Sequence, residues 1–227
     1  MQGLPPALVV AIDGPSGSGK STVARGVARA LGLRYLDTGA MYRAITWLAL
    51  HKQVPLEDGA ALAALAEQAD LQLTTTPEPV VVHAAGHDVT AAIRSGDVTA
   101  AVSTVSAVPG VRAAMVARQR DLIGAGGIVV EGRDIGTTVA PGSPVKIFLT
   151  ASSSARAQRR AHEAATAVND TLQALARRDA LDAGRSASPL AQAADATVVD
   201  STDMSADEVV AQVVALAREV LQTTGSA

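Results

Sequence analysis

The densest chemistry in this sequence lies in nine residues, Gly14-Pro15-Ser16-Gly17-Ser18-Gly19-Lys20-Ser21-Thr22, which match the spacing G-x-x-x-x-G-K-[ST]. Glycines at this spacing let backbone N–H groups turn inward and ring phosphate oxygens. A helix starting at Lys20 sets the positive end of its dipole behind them. In such a loop Lys20 reaches the β- and γ-phosphates, the Ser21 hydroxyl ligates Mg2+, and Thr22 adds a further hydroxyl. A dinucleotide loop, G-x-G-x-x-G, is excluded: after Gly17 and Gly19 it requires Gly or Ala where Thr22 stands. The expected ligand is a nucleoside triphosphate.

Arginine is the second signal. The 19 basic residues include only three lysines, Lys20, Lys52 and Lys146. Residues 151–190 carry Arg156, Arg159, Arg160, Arg177, Arg178 and Arg185 against four acids, a local +2 in a chain of formal net charge −3. Arg156, Arg159 and Arg160 share one helical face by the i, i+3, i+4 rule. Beside a transferring phosphoryl group such side chains neutralise the charge that builds up. Two carboxylates at predicted strand ends, Glu131 and Asp37, are candidates to hold an Mg2+-bound water.

These residues need a scaffold that ends strands at one edge. Ala7–Asp13 is a continuous apolar run ending in glycines, the mark of a parallel strand buried on both faces. A helix over Lys20–Leu31 follows, with Gly32 as its stop, then a strand over Leu33–Leu36 and a helix over Ala40–Leu50. This alternation predicts an α/β fold with a parallel sheet. The rhythm breaks at about 55–95, read as an inserted α+β lobe with a helix over Ala60–Ala69 and strands over Leu71–Thr75 and Val80–His83. Helices over Val98–Val108 and Val111–Ile123 flank a break at Pro109-Gly110. Strands over Gly127–Val130 and Val145–Leu149 follow, then helices over Ser153–Ala167 and Thr171–Leu181. A strand over Thr197–Asp200 and a helix over Ser205–Leu221 complete the pattern, with Ser205 and Glu208 forming a capping box.

Composition removes whole classes. Hydrophobic residues make up 48% and charged ones 18%, which specifies a folded chain. Without cysteine there are no disulfides, thiolate metal sites or cysteine nucleophiles. The acidic balance and four aromatics argue against nucleic-acid partners. No stretch of 18 apolar residues occurs and no signal-like segment opens the chain, so no membrane partner and a cytoplasmic location are expected.

The residues alone leave the phosphoryl acceptor open. No Asn-Lys-x-Asp motif supports a Ras-type GTPase and no Leu-Ser-Gly-Gly-Gln string an ABC-type ATPase. A kinase for a nucleoside monophosphate, one for another small acceptor such as shikimate, and a nucleotide-binding module without turnover all remain. Resemblance narrows the choice. The loop Gly14–Thr22, then Tyr35-Leu36-Asp37-Thr38-Gly39-Ala40-Met41-Tyr42-Arg43, then Glu131-Gly132-Arg133-Asp134-Ile135-Gly136-Thr137 resemble, in order, the signatures of the bacterial cytidylate kinases. Val145–Leu149, Arg178-Asp179, Arg185 with Ser188-Pro189-Leu190, and Asp195-Ala196 continue the likeness from about residue 7 to 220.

That resemblance implies a P-loop nucleoside monophosphate kinase. Its core is a five-stranded parallel sheet, with the NMP-binding insert at about 55–95 and a short helical lid at about 151–170. It implies transfer from ATP, with Mg2+, to CMP or dCMP. Carried over by motif, Ser103, Arg112 and Asp134 read the cytosine, and Thr38, Arg43, Arg133 and Arg185 hold the acceptor phosphate. Arg178 and Asp182 face the ribose hydroxyls. Lys20, Arg133, Arg159, Arg160 and Arg185 carry the catalytic charge, and Ser21, Glu131 and Asp37 the metal. Leu181 and Ala183 depart from the pattern, standing where many members carry arginine. A monomer is expected.

Overall fold

The computed structural model describes residues 8–164, 166–185 and 187–224. Strands β1 (Val9–Asp13), β2 (Arg34–Asp37), β6 (Ile128–Gly132), β7 (Val145–Thr150) and β8 (Thr197–Asp200) form one sheet in the order β2-β6-β1-β7-β8, every pair parallel. Alternate residues feed opposite cores, as a strand's period of two requires. Val10, Ile12, Tyr35 and Val129 join a core built with α1 (Lys20–Leu31) and α8 (Ala206–Thr224). Ala11, Leu36, Ile128 and Val130 join the other, under α2 (Thr38–His51), α3 (Gly59–Gln68), α4 (Gly96–Ala107) and α5 (Pro109–Ile123).

The local signals fix several boundaries. Helix α1 ends as expected at Gly32, which takes the left-handed conformation (φ 64°) and whose N–H reaches the Ala28 and Arg29 carbonyls. At the start of α8, Ser205 N–H donates to Glu208 Oε2 at 2.8 Å and Glu208 N–H to Ser205 Oγ at 3.3 Å, the expected capping box. Helix α2 begins two residues earlier than expected because Asp37 caps it, accepting from Ala40 N–H at 2.9 Å. The expected break at Pro109-Gly110 is corrected: Val108 is the break, and Pro109 is the first residue of α5. Proline suits that position, since its missing N–H has no helical partner there.

Segment 55–95 contributes to both layers. Helix α3 packs Leu62 and Ala66 into the α2–α5 core. Strands β3 (Leu71–Leu73), β4 (Val82–Ala84) and the unforeseen β5 (His87–Asp88) form a small antiparallel sheet. Val82, Ala84, Val89 and Ile93 from this unit pack on Ala40 and Ala44 of α2. After β7, α6 (Ser153–Ala164) and α7 (Val168–Ala183) pack against each other as a hairpin. The helix expected over Ser153–Ala167 stops at Ala164, with residue 165 outside the described set. No single helix among the described residues is long and apolar enough to cross a membrane.

Candidate active site

The carboxyl ends of β1, β2 and β6 open onto a cleft of about 710 Å³, where an open parallel sheet places its ligands. Gly14 makes the turn out of β1 at φ +149°, and a Cβ there would lie 2.0 Å from the Leu149 carbonyl oxygen. Ser16 to Thr22 line the cleft, and Gly14 and Pro15 are not among its lining residues. Lys20 is buried and folds over its own loop, donating to the Pro15 carbonyl at 2.7 Å. Burial, then the Arg133 charge, holds its pKa well below the ordinary lysine range. The ammonium is thus poorly neutralised within the protein and suited to phosphate.

Asp37 and Glu131 are register partners at the ends of β2 and β6. Their situations differ. Asp37 caps α2 and lies 3.8 Å from Arg94. Glu131, 4% exposed, accepts from the Ser21 hydroxyl at 3.1 Å and from the Tyr35 hydroxyl. Desolvation, reinforced by Asp37, pushes its pKa up to about 7. Among the described residues no three His, Cys, Asp or Glu side chains group as a metal cage. The donors present, one hydroxyl and one or two carboxylates beside a phosphate loop, fit Mg2+, which takes few protein ligands and completes its shell with phosphate and water.

Along the described cleft walls, ten basic side chains face four carboxylates. At one end Arg112 and Asp134 form a buried ion pair, with the Arg112 guanidinium 5.3 Å from the Tyr42 ring centroid. Ser103 does not line the described cleft. Ser106, one turn along α4, does; its hydroxyl accepts from Arg185 at 3.0 Å and its carbonyl from Arg112 at 3.3 Å. Thr38 lines the floor and donates to the Glu131 carbonyl at 2.7 Å.

Asp182, expected at the ribose, is 1% exposed and gathers two arginines: Arg133 Nε donates to it at 2.9 Å, and Arg185 pairs with its other oxygen. Burial works against its charge, yet Arg133 and Arg185 hold its pKa below the usual carboxylate range. Arg43 donates to the Ile93 carbonyl at 2.9 Å and Thr99 Oγ1 at 3.0 Å; burial, then Arg160, brings its pKa down to about 10. Arg178 reaches about 9, through burial and then Arg133, and its buried Nε has no partner among the described residues. So many desolvated, mutually repelling guanidiniums would be relieved by an anion.

The shared face expected of Arg156, Arg159 and Arg160 divides. Arg159 and Arg160 line the cleft, with Arg159 anchored on Ser201 Oγ at 3.0 Å. Arg156 turns away, donating to the Ser16 carbonyl at 3.0 Å and to Asp179 at 2.6 Å. Helical spacing defines a face but not what each long side chain reaches. Among the cleft-lining side chains, sequence reasoning missed Tyr35, Tyr42 and Ser106.

The cytidylate kinase family profile matches residues 10–219. A cytidylate kinase of Streptomyces avermitilis is 51% identical over 217 residues, covering 94% of each chain. A bifunctional pantoate ligase/cytidylate kinase of Synechococcus sp. (strain JA-2-3B'a(2-13)) is 49% identical over 227 residues, covering 96% of this chain; the chain spans 42% of that longer protein. Among solved structures, an uncharacterized protein from Eubacterium ventriosum superposes with TM-score 0.52 at 11% identity, covering 94% of this chain and 99% of that one, a likeness of fold.

Proposed function

The chain belongs to the cytidylate kinase family, and from that premise we propose that it transfers the γ-phosphoryl group of ATP to CMP or dCMP, giving ADP and CDP or dCDP. The observation that carries this reading is the cleft: one opening lined by the glycine-rich loop, the buried Arg112–Asp134 pair and a set of further arginines.

The chemistry asks little covalent work of the protein. A phosphomonoester has its second pKa near ~6, so the attacking oxygen is already anionic at neutral pH and needs no general base. Alignment and positive charge are required. In this reading Gly14–Thr22 hold the ATP phosphates, with Lys20 over the γ-phosphoryl group. Thr38, Arg43, Arg133 and Arg185 hold the acceptor phosphate, while Arg159 and Arg160 add charge. Arg178 and Asp182 serve the ribose, and Asp182 also keeps Arg133 and Arg185 converged. Asp134 accepts from the cytosine N4 amine, with Arg112 beside it and Ser106, rather than the expected Ser103, on the cleft wall; uracil lacks that donor, so a buried acceptor would go unpaired.

Ser21 and Glu131 would hold Mg2+, with Asp37 the less available candidate because it caps α2. When bound, the ion would neutralise charge on the transferring phosphates. The segments 55–95 and 151–170 serve as acceptor-binding lobe and lid of a single domain and close to exclude water. The reading has the protein act as a cytoplasmic monomer on free nucleotides, without nucleic-acid or membrane partners.

The test is ADP release with CMP, dCMP, UMP, AMP and shikimate as acceptors. CMP and dCMP are expected to exceed the others by at least tenfold in kcat/KM. Equal turnover of UMP would overturn the role of Asp134, and turnover of shikimate alone would overturn the reading.

A further inference from the structure

Asp13 closes β1 one residue before the phosphate loop, and nothing in the reaction described above uses it. Its carboxylate is 5% exposed. Oδ1 accepts from the Ile135 N–H at 2.9 Å and Oδ2 from the Gly136 N–H at 2.8 Å. These N–H groups open a π-helical turn, Ile135–Val139, where a turn's first donors have no partner of its own. Two convergent bonds to one charged group fix orientation as well as distance. Just upstream the chain divides its side chains: Arg133 goes to Asp182 and Asp134 to Arg112. One side chain therefore fastens the loop that bears Arg133 and Asp134 to the strand that launches Gly14. Burial opposes this charge and pushes its pKa up to about 6, against the two N–H bonds and Lys20.

We propose that Asp13 is a positioning residue that couples the two nucleotide subsites, so that phosphate-loop occupancy pre-organises the cytosine-reading loop and the reverse. This rests on the reading that ATP and CMP share the cleft. Linkage requires the coupling to be reciprocal. Asp13→Asn keeps the shape but sets an amide N–H against one of the two backbone N–H groups, which loosens the turn without removing the phosphate loop.

Calorimetry tests this with CMP alone, a non-hydrolysable ATP analogue alone, and CMP with the analogue present, in wild type and D13N, alongside the CMP:UMP ratio of kcat/KM. Wild type is expected to bind CMP more tightly once the analogue is bound. D13N is expected to keep the analogue's affinity within about twofold, to lose the coupling, and to drop the CMP:UMP ratio by about tenfold, the scale of one lost buried hydrogen bond. An unchanged coupling and ratio in D13N, or equal CMP affinity with and without analogue in wild type, overturns the proposal. Wild type that binds the analogue but never CMP instead overturns the functional reading. If D13N does not fold, amide exchange in wild type decides. Ile135 and Gly136 should be protected and slow further on analogue binding; exposed-loop rates, or no response, overturn the strut.

Discussion

The Ser21 hydroxyl donates to Glu131 Oε2 at 3.1 Å, joining the phosphate loop to the end of a strand 110 residues later. A hydroxyl that gives its proton to a carboxylate turns its lone pairs outward, toward a hard cation. Glu131→Gln removes the charge and keeps the shape. Expected are a fall in kcat of about 100-fold and Mn2+ binding to the ADP complex about tenfold weaker by electron paramagnetic resonance, on the scale of lost metal-orienting partners. CMP affinity should hold; unaltered Mn2+ binding would remove Glu131 from the metal site.

Asp134 and Arg112 neutralise each other in the interior. Asp134→Asn leaves a buried guanidinium without its counter-charge, a change worth about 3–5 kcal/mol of stability. Urea unfolding should register that loss, and the CMP:UMP ratio of kcat/KM should fall by at least tenfold. A variant that still discriminates as wild type does would show that another group reads the base.

Arg178 illustrates a site held against its own comfort. Burial and the neighbouring Arg133 and Arg43 charges all disfavour its ionisation. Arg178→Met should raise the melting temperature of the empty protein by about 2–4 °C, the shift of roughly 1 kcal/mol at this size, while raising KM for CMP about tenfold. Thermal melts with and without sulfate check the cause, since sulfate should stabilise wild type more than the variant.

Asp13 gives the pH dependence a sign. Its pKa is about 6 in the fold against an ordinary 3.8, raised by burial and by Asp134 and lowered by Lys20. Between those values the folded chain binds the extra proton, so this group's contribution to stability declines as pH rises from about 4 to 6 and then levels. Urea midpoints at pH 4.5 and 6.5 should diverge less in D13N than in wild type; parallel profiles would show that Asp13 titrates elsewhere.

Arg156 clips the phosphate loop to the α6–α7 hairpin through the Ser16 carbonyl and Asp179. Arg156→Leu should cost about 1–3 kcal/mol by leaving a partly buried carboxylate without its donor, and KM for ATP should rise more than KM for CMP. Equal effects on both would place the clip outside donor binding.

Much of this was legible because it is local. The glycine spacing, the apolar run of β1, the 3.6-residue period of α1 and the capping box at Ser205 each depend on residues within a few positions of one another. What stayed hidden depends on partners far along the chain. Tyr35 reads as a strand aromatic until Glu131, 96 residues on, meets its hydroxyl, and Asp13 as a strand end until it meets Ile135, 122 residues on. Ser106 could not be preferred to Ser103 from spacing, because both lie on α4 and only tertiary packing turns one of them into the cleft. The start of α2 shifted because Asp37, counted as a metal candidate, also serves as a helix cap.

The uneven distribution of charge has a kinetic consequence. A chain of formal net charge −3 should repel a nucleotide at a distance, yet ten basic side chains gathered around one opening focus the field there. Diffusing anions are steered to the mouth and away from the remaining surface. Capture should therefore slow as added salt shortens the reach of that field, to about 8 Å at physiological ionic strength, while events inside the cleft should proceed at an unchanged pace.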